Sequence, residues 1–243
     1  MNSLTKTHSS SYPFKITKLL CFFLIIIFSH FLGHAEEPLP FEGKIELGTL
    51  SETTWSPLPS ANAFVVLHPL YQLATPDILP KKWVVDMNQK EFLPSHLLVR
   101  VGDEVSFKNS DHFNHNVFSL SKELTFDLGS YSFGQSRKVL TREDGLVRVY
   151  CNVHANMAFF LLVSSSPWAT PTNAKGEFIF SHLPKGKYEM HVWHWQGHQI
   201  HQIDWAGTKI SSPFRLDIGK VQHPHKNKYG LTYPPEEDDD EIY

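Results

Sequence analysis

The stretch Val147-Arg148-Val149-Tyr150-Cys151-Asn152-Val153-His154-Ala155-Asn156-Met157-Ala158-Phe159-Phe160-Leu161-Leu162-Val163 decides how this chain is read. Its flanks are rich in Val, Phe, Leu and Tyr and have the length of strands. Between them a short loop carries a thiol, an imidazole and a thioether at Cys-x2-His-x2-Met spacing. A tight loop between two strands can turn all three side chains toward one point. Upstream, the strand-like run Glu104–Lys108 leads through Asn109-Ser110-Asp111 to His115-Asn116-Val117-Phe118, which supplies a second imidazole.

Two imidazoles, one thiolate and a weak thioether are the ligand types of a mononuclear blue copper site. Imidazole suits Cu(II) and soft sulfur suits Cu(I), so His115, Cys151 and His154 with a distant Met157 would serve both states. That set leaves no position open for a substrate, which points to one-electron transfer and away from an enzyme. Other chemistries remain open on the residues alone. Zinc takes closed tetrahedral sites but gains little from Met. A Cys-His pair can act as a nucleophile, although no orienting acid or oxyanion motif stands beside this one. Cys151 can also be a core cysteine and His154 a loop histidine.

Outward from this loop the pattern is β throughout. Strand-like runs recur at residues 44–47, 63–67, 83–86, 97–101, 104–108, 115–119, 137–140, 146–151, 159–163, 177–180, 188–193 and 214–217, separated by turn sequences such as Val-Gly-Asp and Glu-Asp-Gly. No long stretch carries a helical period. The expected fold class is all-β, built of sandwiches.

Residues 82–165 resemble a cupredoxin domain, nearest the amicyanin and plastocyanin-like group. The resemblance runs through Phe92-Leu93-Pro94, then Leu97-Leu98-Val99-Arg100-Val101-Gly102-Asp103-Glu104-Val105, then His115-Asn116-Val117, and then the Cys151 loop. The resemblance implies a Greek-key β-sandwich with one type 1 copper on His115, Cys151, His154 and Met157. It also gives Asn116 a bracing role, with its backbone N–H aimed at the thiolate, and makes the edge of His154 the electron port.

A second module follows. Gly176-Glu177-Phe178-Ile179-Phe180-Ser181-His182-Leu183-Pro184-Lys185-Gly186-Lys187-Tyr188 resembles the carboxypeptidase regulatory-like, transthyretin-like sandwich. Residues 42–67 look like the start of such a module. The expectation is a sandwich of residues 36–81 and 166–222 with the cupredoxin, 82–165, inserted into it; two consecutive domains are the simpler alternative. The arrangement is similar to exported methylamine-utilisation-like proteins. His194, His198 and His201 crowd the same module. They are a candidate accessory copper or zinc site, or else surface imidazoles among tryptophans.

The chain has 243 residues, two cysteines, 15 histidines, 22 basic and 25 acidic residues, and a net charge of −3. With 41% hydrophobic residues it can fill a core, which excludes collagen-like, disulfide-dense and wholly disordered classes. No basic excess suggests nucleic acid. Residues 1–35 read as a signal peptide. Lys6, Lys15 and Lys18 precede the apolar run Leu19–Leu32, which is short for a membrane span, and cleavage is expected near Ala35. An uncleaved anchor is the competing reading. Cleavage implies a periplasmic or secreted protein without a stable span, and it removes Cys21, leaving Cys151 with no disulfide partner. The tail, 223–243, is polar and ends in Glu236-Glu237-Asp238-Asp239-Asp240-Glu241; it reads as disordered. The expected partners are redox proteins. Copper storage, delivery or sensing, and a structural interaction module, are the rival functions.

Overall fold

A computed structural model describes residues 39–51, 54–58, 62–73, 78–208, 213–219 and 225–233. The expected signal peptide and the acidic run 236–241 lie outside the described residues. The described chain is all-β, with 17 strands and no helix. No described helix is long and apolar enough to cross a membrane.

In chain order the strands are β1 (Phe41–Ser51), β2 (Thr54–Pro57), β3 (Phe64–Pro69), β4 (Lys82–Asn88), β5 (Glu91–Leu93) and β6 (His96–Arg100). Next come β7 (Glu104–Asn109), β8 (His115–Ser121), β9 (Leu124–Tyr131), β10 (Ser136–Leu140), β11 (Gly145–Cys151) and β12 (Ala158–Ser164). The last are β13 (Ala169–Pro171), β14 (Glu177–Phe180), β15 (Gly186–His194), β16 (Gly197–Trp205) and β17 (Phe214–Asp217).

Two sheets, β10-β7-β4-β5 and β6-β12-β11-β8-β9, face each other across one core. Alternate residues of each strand point inward, as the period of two requires. Val85, Val105, Phe107, Val117, Val147, Val149, Phe159 and Leu161 fill the space between them. Phe92, Phe107 and Phe159 meet edge-on or tilted, with ring centres 5.7–6.1 Å apart.

The other two sheets combine strands from before and after this sandwich. Strand β1 pairs antiparallel with β14, Phe41 against Phe180, and parallel with β17, Ile45 against Phe214. Strand β3 lies between β13 and β15. Phe41, Ile45, Leu67, Tyr188, Met190, Val192, Trp205 and Leu216 form the core between those sheets.

A third, smaller apolar cluster joins the two sandwiches. Phe64 and Val66 of β3 are buried with Leu146 of β11 and Leu162 of β12, and Leu98, Phe160 and Trp193 pack against them. At about 1.5–3 kcal/mol for each large apolar side chain removed from water, burial of this patch favours contact between the two sandwiches. Trp195 stacks on Phe160 at 5.4 Å, and Arg148 donates to the Trp195 carbonyl at 3.1 Å. Where the chain crosses between sandwiches, the Arg100 guanidinium donates to the carbonyls of Ser166 and Pro167, both at 3.2 Å. The Ser166 hydroxyl donates to the Leu67 carbonyl at 2.6 Å.

The structure departs from the sequence expectation at the tail. Residues 225–233 are not disordered: they form a compact loop around Asn227, whose side-chain oxygen accepts the N–H groups of Tyr229 and Leu231 at 3.0 Å. Their polarity resembles disorder because they pack by hydrogen bonds and stacked rings rather than by aliphatic burial.

Candidate metal centre

Strand pairing brings the candidate ligands to one end of the inner sandwich. His115 is the first residue of β8 and Cys151 the last of β11. The two strands run antiparallel with Cys151 opposite Val117, so that start and that end lie side by side. After Cys151 the chain turns tightly back into β12. The Met157 N–H donates to the His154 carbonyl at 3.3 Å, and the Cys151 N–H donates to the Met157 carbonyl at 3.2 Å. Three-residue spacing within that turn returns His154 and Met157 to the side of Cys151.

Cys151 Sγ lies 3.8 Å from His115 Nδ1 and 3.7 Å from His154 Nδ1, and the two nitrogens are 3.2 Å apart. Among the described residues, these three make a group of metal-ligating side chains whose donor atoms all lie within 4.8 Å of one another. A point equidistant from the three atoms is about 2.1 Å from each, within the range of metal–nitrogen bonds and slightly inside that of metal–sulfur bonds. Cys151, His115 and Met157 are 0% exposed and His154 is 8% exposed. The cage therefore reaches the surface only through His154.

Asp111 prepares His115 for ligation. Its Oδ2 accepts from His115 Nε2 at 2.8 Å, which orients the ring with Nδ1 toward Cys151 Sγ. Both oxygens of Asp111 also hold the β4–β5 turn, accepting the N–H groups of Gln89 at 2.6 Å and Lys90 at 2.9 Å. That turn has positive φ at both residues, 56° and 58°, the backbone of a tight hairpin. Asn109 orders the intervening loop, accepting the Asp111 N–H at 2.9 Å and donating to the carbonyls of Phe113 and Tyr131.

The electrostatics follow from these contacts. Burial opposes ionisation of the Cys151 thiol. Hydrogen bonds from His115, His154 and the N–H groups of His154 and Val153 outweigh it and bring the thiol down to about 5. Burial likewise disfavours charge on His115, but the bonds to Cys151 and Asp111 raise its pKa. Asp111 is held below the usual carboxylate range: burial raises it, and the Lys90 and Gln89 N–H groups and His115 lower it further. The metal-free site thus favours a thiolate, the form that binds metal.

Solved structures are similar to part of this chain. A purple cupredoxin from Nitrosopumilus maritimus is 20% identical over 33% of this chain and 98% of its own length, with a TM-score of 0.31. An oxidized mutant of amicyanin is 24% identical over 33% of this chain and 80% of its own, with a TM-score of 0.32. A Cu-containing nitrite reductase from Thermus scotoductus SA-01 is 22% identical over 40% of this chain, with a TM-score of 0.33; the match spans a quarter of the reductase, 25% of its length. No protein-family model and no curated protein sequence matches the chain.

The Val153 N–H reaches Cys151 Sγ at 3.4 Å, and the His154 N–H bonds it as well. The Asn116 side-chain amide donates to Asp127 Oδ1 at 2.7 Å. One expectation needs correction: His194, His198 and His201 do not converge. In the β15–β16 ladder His198 lies opposite Trp193, and His201 lies opposite Met190. Trp193 and Met190 point to opposite faces of the sheet, so His198 and His201 do too. His198 stacks on Trp193 at 3.6 Å and approaches His191 Nδ1 at 3.3 Å. His201 packs edge-on to Phe214 on the other face. His194 is buried, and burial with the nearby His96 lowers its pKa to about 4.

Sequence reasoning passed over Asp111, Val153 and the tail residues Lys228 and Tyr233. Asp111 had one local clue, its place four residues before His115.

Proposed function

We propose that this is an exported blue copper protein carrying single electrons between protein partners. His115 Nδ1, His154 Nδ1 and Cys151 Sγ would hold one copper ion, with Met157 as a weak fourth ligand. Bound there, copper supplies one-electron exchange between Cu(II) and Cu(I). The single observation that carries this reading is the buried triangle of donor atoms, 3.2–3.8 Å on a side.

The chain's own residues do the rest. Asp111 orients His115 and strengthens it as a donor. The Val153 N–H at Sγ withdraws charge from the thiolate, which favours the reduced form. Strands β8 and β11 fix two ligands on a rigid sheet, so little moves when the charge changes. His154, the one ligand with an exposed edge, is the contact for a partner. A delivery role fits less well, because three of the four ligands are fully enclosed and offer no exchange path. Residues 82–165 are read as a cupredoxin inserted in a transthyretin-like sandwich, which would serve as a rigid mount. The apolar run Leu19–Leu32 supports export to the periplasm.

Loading with Cu(II) tests the reading. One tightly held copper and an intense band near about 600 nm are expected from thiolate-to-copper charge transfer. A colourless copper-loaded protein would overturn it.

A further inference from the structure

We propose that residues 225–233 are a positioning strap for the metal cage, with Tyr233 and Lys228 tying its two ligand-bearing segments together from outside. Polar and ring contacts of this segment reach those segments and the residue that braces them. The Tyr233 hydroxyl donates to the carbonyl of Cys151 at 2.7 Å. The Lys228 N–H donates to Asn152 Oδ1 at 3.0 Å, one residue further along the loop. The Lys228 ammonium donates to Asp127 Oδ2 at 2.7 Å, and the other oxygen of Asp127 accepts from Asn116, next to His115. His225 stacks on Tyr150 at 3.9 Å and 15° and meets the Tyr233 ring at 5.2 Å.

The arrangement does mechanical work that the sandwich leaves undone. β11 ends at Cys151. The Cys151 N–H is held by Met157 and its carbonyl by Tyr233, so both peptides flanking the ligand are fixed. Sγ can then move only by rotating about its own side-chain bonds. The path Asn152–Lys228–Asp127–Asn116 closes a second loop from the cysteine segment to the histidine segment through one charge-assisted bond. The strap is also preorganised. Asn227 accepts two N–H groups through its side chain, its carbonyl accepts the Gly230 N–H at 2.9 Å, and Gly230 takes the positive φ of 76° that the turn needs. Less conformational freedom is then lost when it docks.

This inference deepens the copper reading, and its test is run on metal-free full-length protein so that the two can fail separately. Alkylation of Cys151 by iodoacetamide reports how often the cage opens, with hydrogen exchange at the Val153 amide as a second readout. Tyr233→Phe, which removes one hydroxyl, should speed alkylation about 5- to 10-fold. Lys228→Met should have a similar effect, and the two together a larger one. Lys138→Met is the control. It breaks an ion pair of the same 2.7 Å length, Lys138 to Glu104, on the opposite sheet, and it should leave alkylation unchanged. Denaturation midpoints measured alongside separate local opening from loss of fold. Alkylation and exchange in Tyr233→Phe equal to those of the parent would overturn the strap, whatever the copper spectrum shows. So would equal acceleration by Lys138→Met.

Discussion

Two groups of histidines in this molecule have opposite outcomes, and the more crowded one does not converge. His115, with Cys151 and His154, closes a cage; His194, His198 and His201 are spread over both faces of one ladder. The difference is where they sit on the strands. His115 begins β8, Cys151 ends β11, and His154 lies in the turn that follows, so all three are at one end of a sandwich. The second group is threaded along β15 and β16, where a period of two sends neighbours to opposite faces. Convergence on a sheet comes from strand ends and loops, and crowding along a strand works against it.

The largest test of this contrast exchanges the two groups. Cys151→Ser should abolish the visible copper band entirely. Replacing His194, His198 and His201 together by Asn should leave the band and a stoichiometry of one copper unchanged; metal analysis showing a second copper lost in that triple variant would restore the accessory site.

A smaller effect is expected at Asp111. Asp111→Ala removes the carboxylate behind His115 and frees the Gln89-Lys90 turn, so copper affinity should fall about 10- to 100-fold. Competition with a chelator measures it. The variant should keep its blue colour, since the ligands themselves remain.

The two cores give a contrast of stability. Phe107→Ala in the inner sandwich should cost about 3–5 kcal/mol and loosen copper retention with it. Phe41→Ala in the other core should cost a similar amount by denaturant titration and leave the copper spectrum in place.

The smallest effect is on pH. Lys228, followed by burial, Asn116 and the Gly129 N–H, sets the Asp127 carboxyl, on balance lowering it to about 2. A carboxylate depressed in the folded state contributes stability above its unfolded pKa of about 3.9 and loses it as pH falls toward 2. The acid limb of the stability curve should therefore shrink between about pH 4 and 2 in Asp127→Asn. An unchanged limb would show that the exposed part of this ion pair is screened by water.

Much of the cage was legible because three ligands fall within seven residues, and the strand–turn–strand context says which way they point. The all-β class was equally plain from Val, Phe and Tyr runs. The polar strand β16 was not. One of its faces meets solvent over most of its length, so Gly197–Trp205 carries little apolar alternation and reads as a turn with histidines. The strap was invisible for a different reason. Its partners lie 76 residues away at Asn152, 82 at Cys151 and 101 at Asp127, and no local pattern encodes such pairings. Asp111 stood beside His115 but had the sequence of an ordinary Asn-Ser-Asp loop. Its role follows from the β4–β5 turn folding over it.

The most direct test of the central claim is an optical and EPR spectrum of the Cu(II)-loaded chain, with metal analysis on the same sample. One copper per chain, an intense absorption at about 600 nm and a reversible loss of both signals on one-electron reduction are expected. Copper bound without that absorption, or absorption that survives Cys151→Ser, would contradict the claim.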